Sequence, residues 1–137
     1  MVDALRRAHR MAGPNGRVID LHPSEAHASL EVGGTITGRV DSGSAPLRHR
    51  AADRALEAAI VDGLFKSERS LTFTFYTYGD SIEELRDHIV ETWREGRIAV
   101  DVIDRTRQAL CLTPGSRPRV REEVHAASLL SISLLNG

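Results

Sequence analysis

The chain has a single cysteine and no surplus of either charge, and each shortage excludes a class of function. Its single cysteine, Cys111, rules out an internal disulfide and a cysteine-rich zinc knuckle, and fits a reducing cytoplasm. Eighteen basic residues against nineteen acidic ones give a formal charge of -1, so no general positive field is present to hold a nucleic-acid backbone. Long apolar runs are missing as well. The longest, residues 129–135, is broken by serines and falls far short of the about 20 residues a membrane-spanning helix needs, and the opening residues lack the apolar stretch of a secretory signal. What is present, 41% hydrophobic and 27% charged residues over 137 positions, is the composition of one soluble domain spanning 1–137, with a cytoplasmic location expected.

Apolar periodicity orders that domain. Asp3 can cap a helix with Leu5, Ala8, Met11 and Ala12 on its stripe, and Gly13-Pro14-Asn15-Gly16 breaks it. A strand at 17–22 puts Ile19 and Leu21 on one face and Val18, Asp20 and His22 on the other. Ala28, Leu30 and Val32, the pair Gly33-Gly34, then Ile36, Gly38 and Val40 read as a tight hairpin. Pro46 opens a helix running to about residue 64, whose small apolar stripe (Ala51, Ala52, Ala55, Leu56, Ala59, Ile60) should lie flat on a sheet. Leu71, Phe73 and Phe75 alternate with polar partners in a strand over 71–78 that is expected to be central. Ser81 with Glu84 predicts a capped helix carrying Ile82, Leu85, Ile89 and Trp93. A second helical stretch follows around 101–110, and a last strand at 119–126 is interrupted on its buried side by Glu122. The expected class is α+β: a twisted mixed sheet of about five to six strands, largely antiparallel, packed with three to four helices.

The segment Ala4-Leu5-Arg6-Arg7-Ala8-His9-Arg10-Met11, Gly13-Pro14-Asn15-Gly16 and Arg17-Val18-Ile19-Asp20-Leu21 resembles the helix, Pro-Gly-Gly turn and fifth strand of class I S-adenosylmethionine-dependent methyltransferases, with Asn15 replacing one glycine. The later order of helix, strand, helices and strand is similar to that family's C-terminal half, whose last two strands pair antiparallel. In the family the cofactor is held by a glycine-rich turn after the first strand and an acidic residue ending the second. Neither has a counterpart here, and the one glycine cluster, Gly33, Gly34 and Gly38, sits in a hairpin with no helix following it. The resemblance therefore implies a doubly wound sheet without its nucleotide-binding half, no cofactor, and a surface to be covered by self-association or by a separate polypeptide.

Among groups that can do chemistry, Asp20, His22, Glu25 and His27 form the densest polar set, and Asp20 and His22 share a strand face at its carboxyl end. Tyr76 and Tyr78 share a face of the aromatic strand and either line a cleft or cover a layer of helices. These six are the expected ligand-binding residues; no catalytic residue and no metal ligand is assigned. His49 and Asp53 stand at i,i+4 spacing and form no catalytic dyad. Cys111 reads as a buried, inert thiol, and Trp93 as a core or interface anchor. Arg117, Arg119 and Arg121 near the last strand read as a solvated face, in a chain with 17 arginines and one lysine. The tail Leu129, Leu130, Ile132, Leu134 and Leu135 either completes the last strand or forms a contact surface. The expected function is a non-catalytic module that forms homodimers or binds a small molecule or protein partner; the alternative is a small enzyme or the substrate half of a split methyltransferase.

Overall fold

The computed structural model describes residues 2–133. In chain order the elements are α1 (Val2–Ala12), β1 (Arg17–Pro23), β2 (Ser29–Val32), β3 (Thr35–Arg39), α2 (Ala45–Val61), β4 (Phe65–Tyr78), α3 (Ile82–Thr92), α4 (Val100–Leu112) and β5 (Pro118–Ser131). The class is α+β, four helices with a five-stranded antiparallel open sheet. β5, not the aromatic strand β4, is the hub: it pairs with β1, β2 and β4, whereas β4 joins the sheet through β5. The expectation of a central β4 is thus corrected, and its exposure says why. Leu71 is 52% and Phe75 50% exposed, so its alternation does not mark two covered faces.

Chain contacts divide the described residues into two units. The first comprises the chain up to Ser24, Leu47–Phe73 and the residues from Val124 onward. Its core gathers Leu5 of α1, Ala55 and Ala59 of α2, Phe65 of β4 and Leu129 of β5. The small alanines let α2 approach closely, as its stripe predicts, although Ala51 is exposed. Met11 is 86% exposed and leaves the predicted stripe of α1; His9 takes that face, with Nε2 bonded to the Ile132 carbonyl at 2.8 Å and its ring edge-on to Phe65. α2 stops at Gly63, whose φ of 78° is open to glycine without a Cβ penalty. There the Gly63 N–H reaches the Ile60 carbonyl and the Leu64 N–H the Ala59 carbonyl, a Schellman ending. β1 pairs antiparallel with β5, His22 opposite His125 and Ile19 opposite Ser128. Leu129 and Ser131 are buried within β5, so that part of the apolar tail completes the strand. Leu134 and Leu135 lie outside the described residues.

The second unit comprises Glu25–Pro46 and Thr74–Glu123. The β2–β3 hairpin turns at Gly33 and Gly34, both at positive φ, as predicted. Ser81 caps α3 by accepting from the Glu84 N–H at 3.1 Å, and Ile82, Leu85 and Ile89 are each at most 1% exposed. They pack with Leu30, Val40, Val102, Ile103 and Val120, with Trp93 and Leu110 against them. Fully burying a side chain of this size contributes about 1.5–3 kcal/mol, so this cluster carries the unit. A register shift between Leu30 and Glu31 turns Thr37 inward, where its hydroxyl meets that of Thr106 at 2.7 Å, and leaves Ile36 exposed. Cys111 is exposed, contrary to expectation. The face of α4 defined by Val102, Ile103 and Thr106 is the buried one, and Cys111 falls off it.

Candidate functional site

Two of the predicted residues converge in the first unit. Period-two geometry puts Asp20 and His22 on one face of β1, and α2 brings Asp53 to that face. His22 Nδ1 lies 2.6 Å from Asp20 Oδ2 and Nε2 2.6 Å from Asp53 Oδ1. An ionised carboxylate only accepts, so this pair of contacts favours the doubly protonated imidazolium over either neutral tautomer. Its side chain is 10% exposed, against 19% for Asp20 and 37% for Asp53. Burial opposes the charge, but hydrogen bonds to Asp53 and Asp20 and their Coulomb attraction outweigh it, and the His22 pKa is raised.

Two further histidines adjoin the clamp. His125, opposite His22 in the β1–β5 register, meets it edge-on with ring centroids 5.9 Å apart, and its Nδ1 shares a 2.8 Å hydrogen bond with Thr72 Oγ1. His49 donates from Nδ1 to the Ser24 carbonyl at 3.1 Å. Its pKa is lowered by burial, with the charges of Arg48 and His22 adding to the effect. Asp53 therefore serves His22 across the fold rather than His49 one turn away on its own helix.

The clamp stands in the wall of an open groove of about 530 Å³. Asp20, His22, Asp53, Glu57, Ser70, Thr72 and His125 supply its polar lining. Leu56, Ile60, Leu71, Ala126 and Ala127 supply the apolar part. A volume of this order suits a small molecule. Asp53, Thr72 and His125 were not among the predicted ligand residues. The spacing of Asp53 pointed to the wrong histidine, and cross-strand pairing of His125 with His22 has no local signal.

The other predicted residues belong to the second unit. Glu25 and His27 are exposed on the segment before β2, and neither lines the groove. Tyr76 and Tyr78 are brought together, ring centroids 6.3 Å apart, and are covered by arginines. The Arg119 guanidinium lies 4.1 Å from the Tyr76 ring centroid, donates to the Tyr78 hydroxyl at 3.2 Å, and pairs at 2.9 Å with the buried Glu31. Arg117 lies over Tyr78 and pairs with Asp80. The tyrosines thus anchor a part-buried ion pair through cation–π contact, and Arg117 and Arg119 form part of that stack rather than a merely solvated face, while Arg121 is exposed as expected. Glu122 is half-buried, and burial raises its carboxyl pKa.

Among the described residues no group of three or more His, Cys, Asp or Glu side chains is placed to hold a metal ion, and no helix is long and apolar enough to cross a membrane. Comparison with protein-family models, curated proteins and solved structures finds no match.

Proposed function

We propose that this chain is a non-catalytic small-ligand-binding module, similar to the C-terminal half of class I S-adenosylmethionine-dependent methyltransferases without the cofactor-binding half. The observation that carries the reading is the clamp on His22. A general base needs a ring nitrogen free to accept a proton, and both nitrogens of His22 are engaged by carboxylates at 2.6 Å. The raised pKa of His22 favours its charged form, and in that form it orients Asp20 and Asp53 along a groove of ligand size. The methyltransferase-like part of the reading rests on the resemblance of residues 4–21 alone. Calorimetric titration with S-adenosylmethionine tests it: no saturable heat is expected, and stoichiometric binding would overturn it.

Self-association is a second reading, favoured by a separate observation. The face of β1 opposite the clamp leaves Ile19 62% and Leu21 59% exposed. Beside them the Arg17–Glu68 pair at 2.9 Å supplies one charge of each sign. Such a patch is self-complementary across a two-fold axis. Sedimentation equilibrium should give a homodimer that the double substitution Ile19→Asp, Leu21→Asp converts to monomer; a monomeric wild type at about 0.1 mM contradicts the reading.

A further inference from the structure

The sheet of the first unit has one covered face and one bare face. Val18 of β1 and Leu129 of β5, opposite each other in register, pack against α1 and α2. Alternation turns every second residue the other way: Ile19 and Leu21 of β1, opposite Ser128 and Ala126 of β5. On β4 the Thr72 hydroxyl meets His125, which stands on the clamp side with His22. Leu71 and Phe73, to either side of Thr72, therefore point to the bare face. Leu71 and Ala126 thus border the groove with their main chain and present their side chains here. Ile19, Leu21 and Leu71 are more than half exposed and Phe73 is 38% exposed, so three adjacent strands, β1, β5 and β4, share one open apolar surface. At its margin stand Arg17 and Glu68, 2.9 Å apart, with Glu68 held on this side by the Ser128 hydroxyl at 3.2 Å.

We propose that this face packs against the same face of a second copy of the chain, sheet on sheet, burying Leu71 and Phe73 alongside Ile19 and Leu21 and leaving α1 and α2 of each copy on the outside. The proposal rests on the self-association reading and adds β4 and the packing mode to it. Three observations favour a second copy as the occupant. The first is area: the four apolar residues, the part-exposed β5 residues between them and the Arg17–Glu68 pair present roughly 700 Å² per copy, against about 800 Å² per partner in a standard interface. The second is charge. Arg17 and Glu68 give one charge of each sign, so a two-fold copy brings Arg17 toward Glu68, whereas a nucleic acid or a charged peptide finds no net charge here to hold it. The third is shape, since two copies carry the same twist, as aligned sheet packing requires.

Sedimentation equilibrium of the full chain, with far-UV circular dichroism and urea midpoints to establish folding, tests it. Leu71→Lys and Phe73→Lys should each raise the dimer Kd about tenfold or more, as the β1 substitutions do. Met11→Lys, an equally drastic change at a residue 86% exposed on α1, should leave it within about twofold. Leu71 is half exposed, so its variant decides the matter if Phe73→Lys does not fold. A dimer that the Ile19 and Leu21 substitutions dissociate but Leu71→Lys leaves intact would overturn the sheet-on-sheet packing and keep the self-association reading. A monomeric wild type at about 0.1 mM would overturn both.

Discussion

Replacing His22 with glutamine removes the one cation held between Asp20 and Asp53. A hydrogen bond to a charged group contributes about 1.5–3 kcal/mol. The bond to Asp20 joins two largely buried side chains, whereas Asp53 is 37% exposed and its share is reduced by solvent screening. Glutamine retains one such contact at best and leaves two carboxylates beside a neutral amide. The expected loss is about 2–3 kcal/mol near pH 6. The pH dependence has a definite sign. The folded-state pKa of His22 lies above the 6.5 of the free side chain, so between those two values the folded protein holds a proton that the unfolded chain has released. The clamp is fully stabilising below about pH 6.5 and loses its contribution as pH rises through the folded pKa. Urea denaturation of wild type and His22→Gln from about pH 5.5 to pH 9 should therefore show a gap that is widest at the acid end and closes toward the alkaline end. A gap that is constant with pH, or that widens as pH rises, would refute a charged His22.

His49 should behave with the opposite sign. Its folded pKa is lowered, so its contribution is complete above about pH 6.5 and is lost as pH falls toward the folded value; His49→Gln should flatten the acid side of the wild-type stability curve, and an unchanged acid limb contradicts this. Gly63→Ala forces a side chain into the left-handed conformation that ends α2 and should cost about 1–2 kcal/mol in urea midpoint analysis, where a neutral effect would refute the strain. Ser131 buries a hydroxyl with no hydrogen-bond partner among the described residues, so Ser131→Ala should leave stability unchanged or raise it by about 1 kcal/mol, and a loss of that size would show an overlooked partner. Cys111 is exposed and should react with a thiol reagent in the native protein without prior unfolding; protection until denaturation would contradict its placement.

The features legible in the sequence are those written in a few adjacent residues. Gly33-Gly34 can only make the tight turn it makes, Ser81 with Glu84 announces the start of α3, and Gly13-Pro14-Asn15-Gly16 separates α1 from β1. Even the alternation of β1 was legible, but not which face turns inward. Asp20 and His22 face the groove while Ile19 and Leu21 face out, because Asp53 on a helix 31 residues further on supplies the countercharge for His22. The same non-locality hid the hub role of β5 and the exposure of β4, since a strand's neighbours depend on register across the whole sheet. For Cys111 and Met11 the difficulty was angular: on a short helix a residue or two decides which side is buried. Of the six predicted ligand residues, Asp20 and His22 meet through their spacing on one strand, and Tyr76 and Tyr78 meet for the same reason. Asp53, Thr72 and His125 join the groove through tertiary pairing alone.

The charged state of His22 is the point on which the binding-module reading turns, and ¹⁵N spectroscopy of the imidazole reports it directly. As pH is raised, His22 should keep both ring nitrogens protonated beyond the point where an ordinary histidine loses its proton. Loss of the second proton at or below the pH of an ordinary histidine would leave one nitrogen free to accept a proton and would contradict the assignment of His22 as a charge held between carboxylates rather than a base.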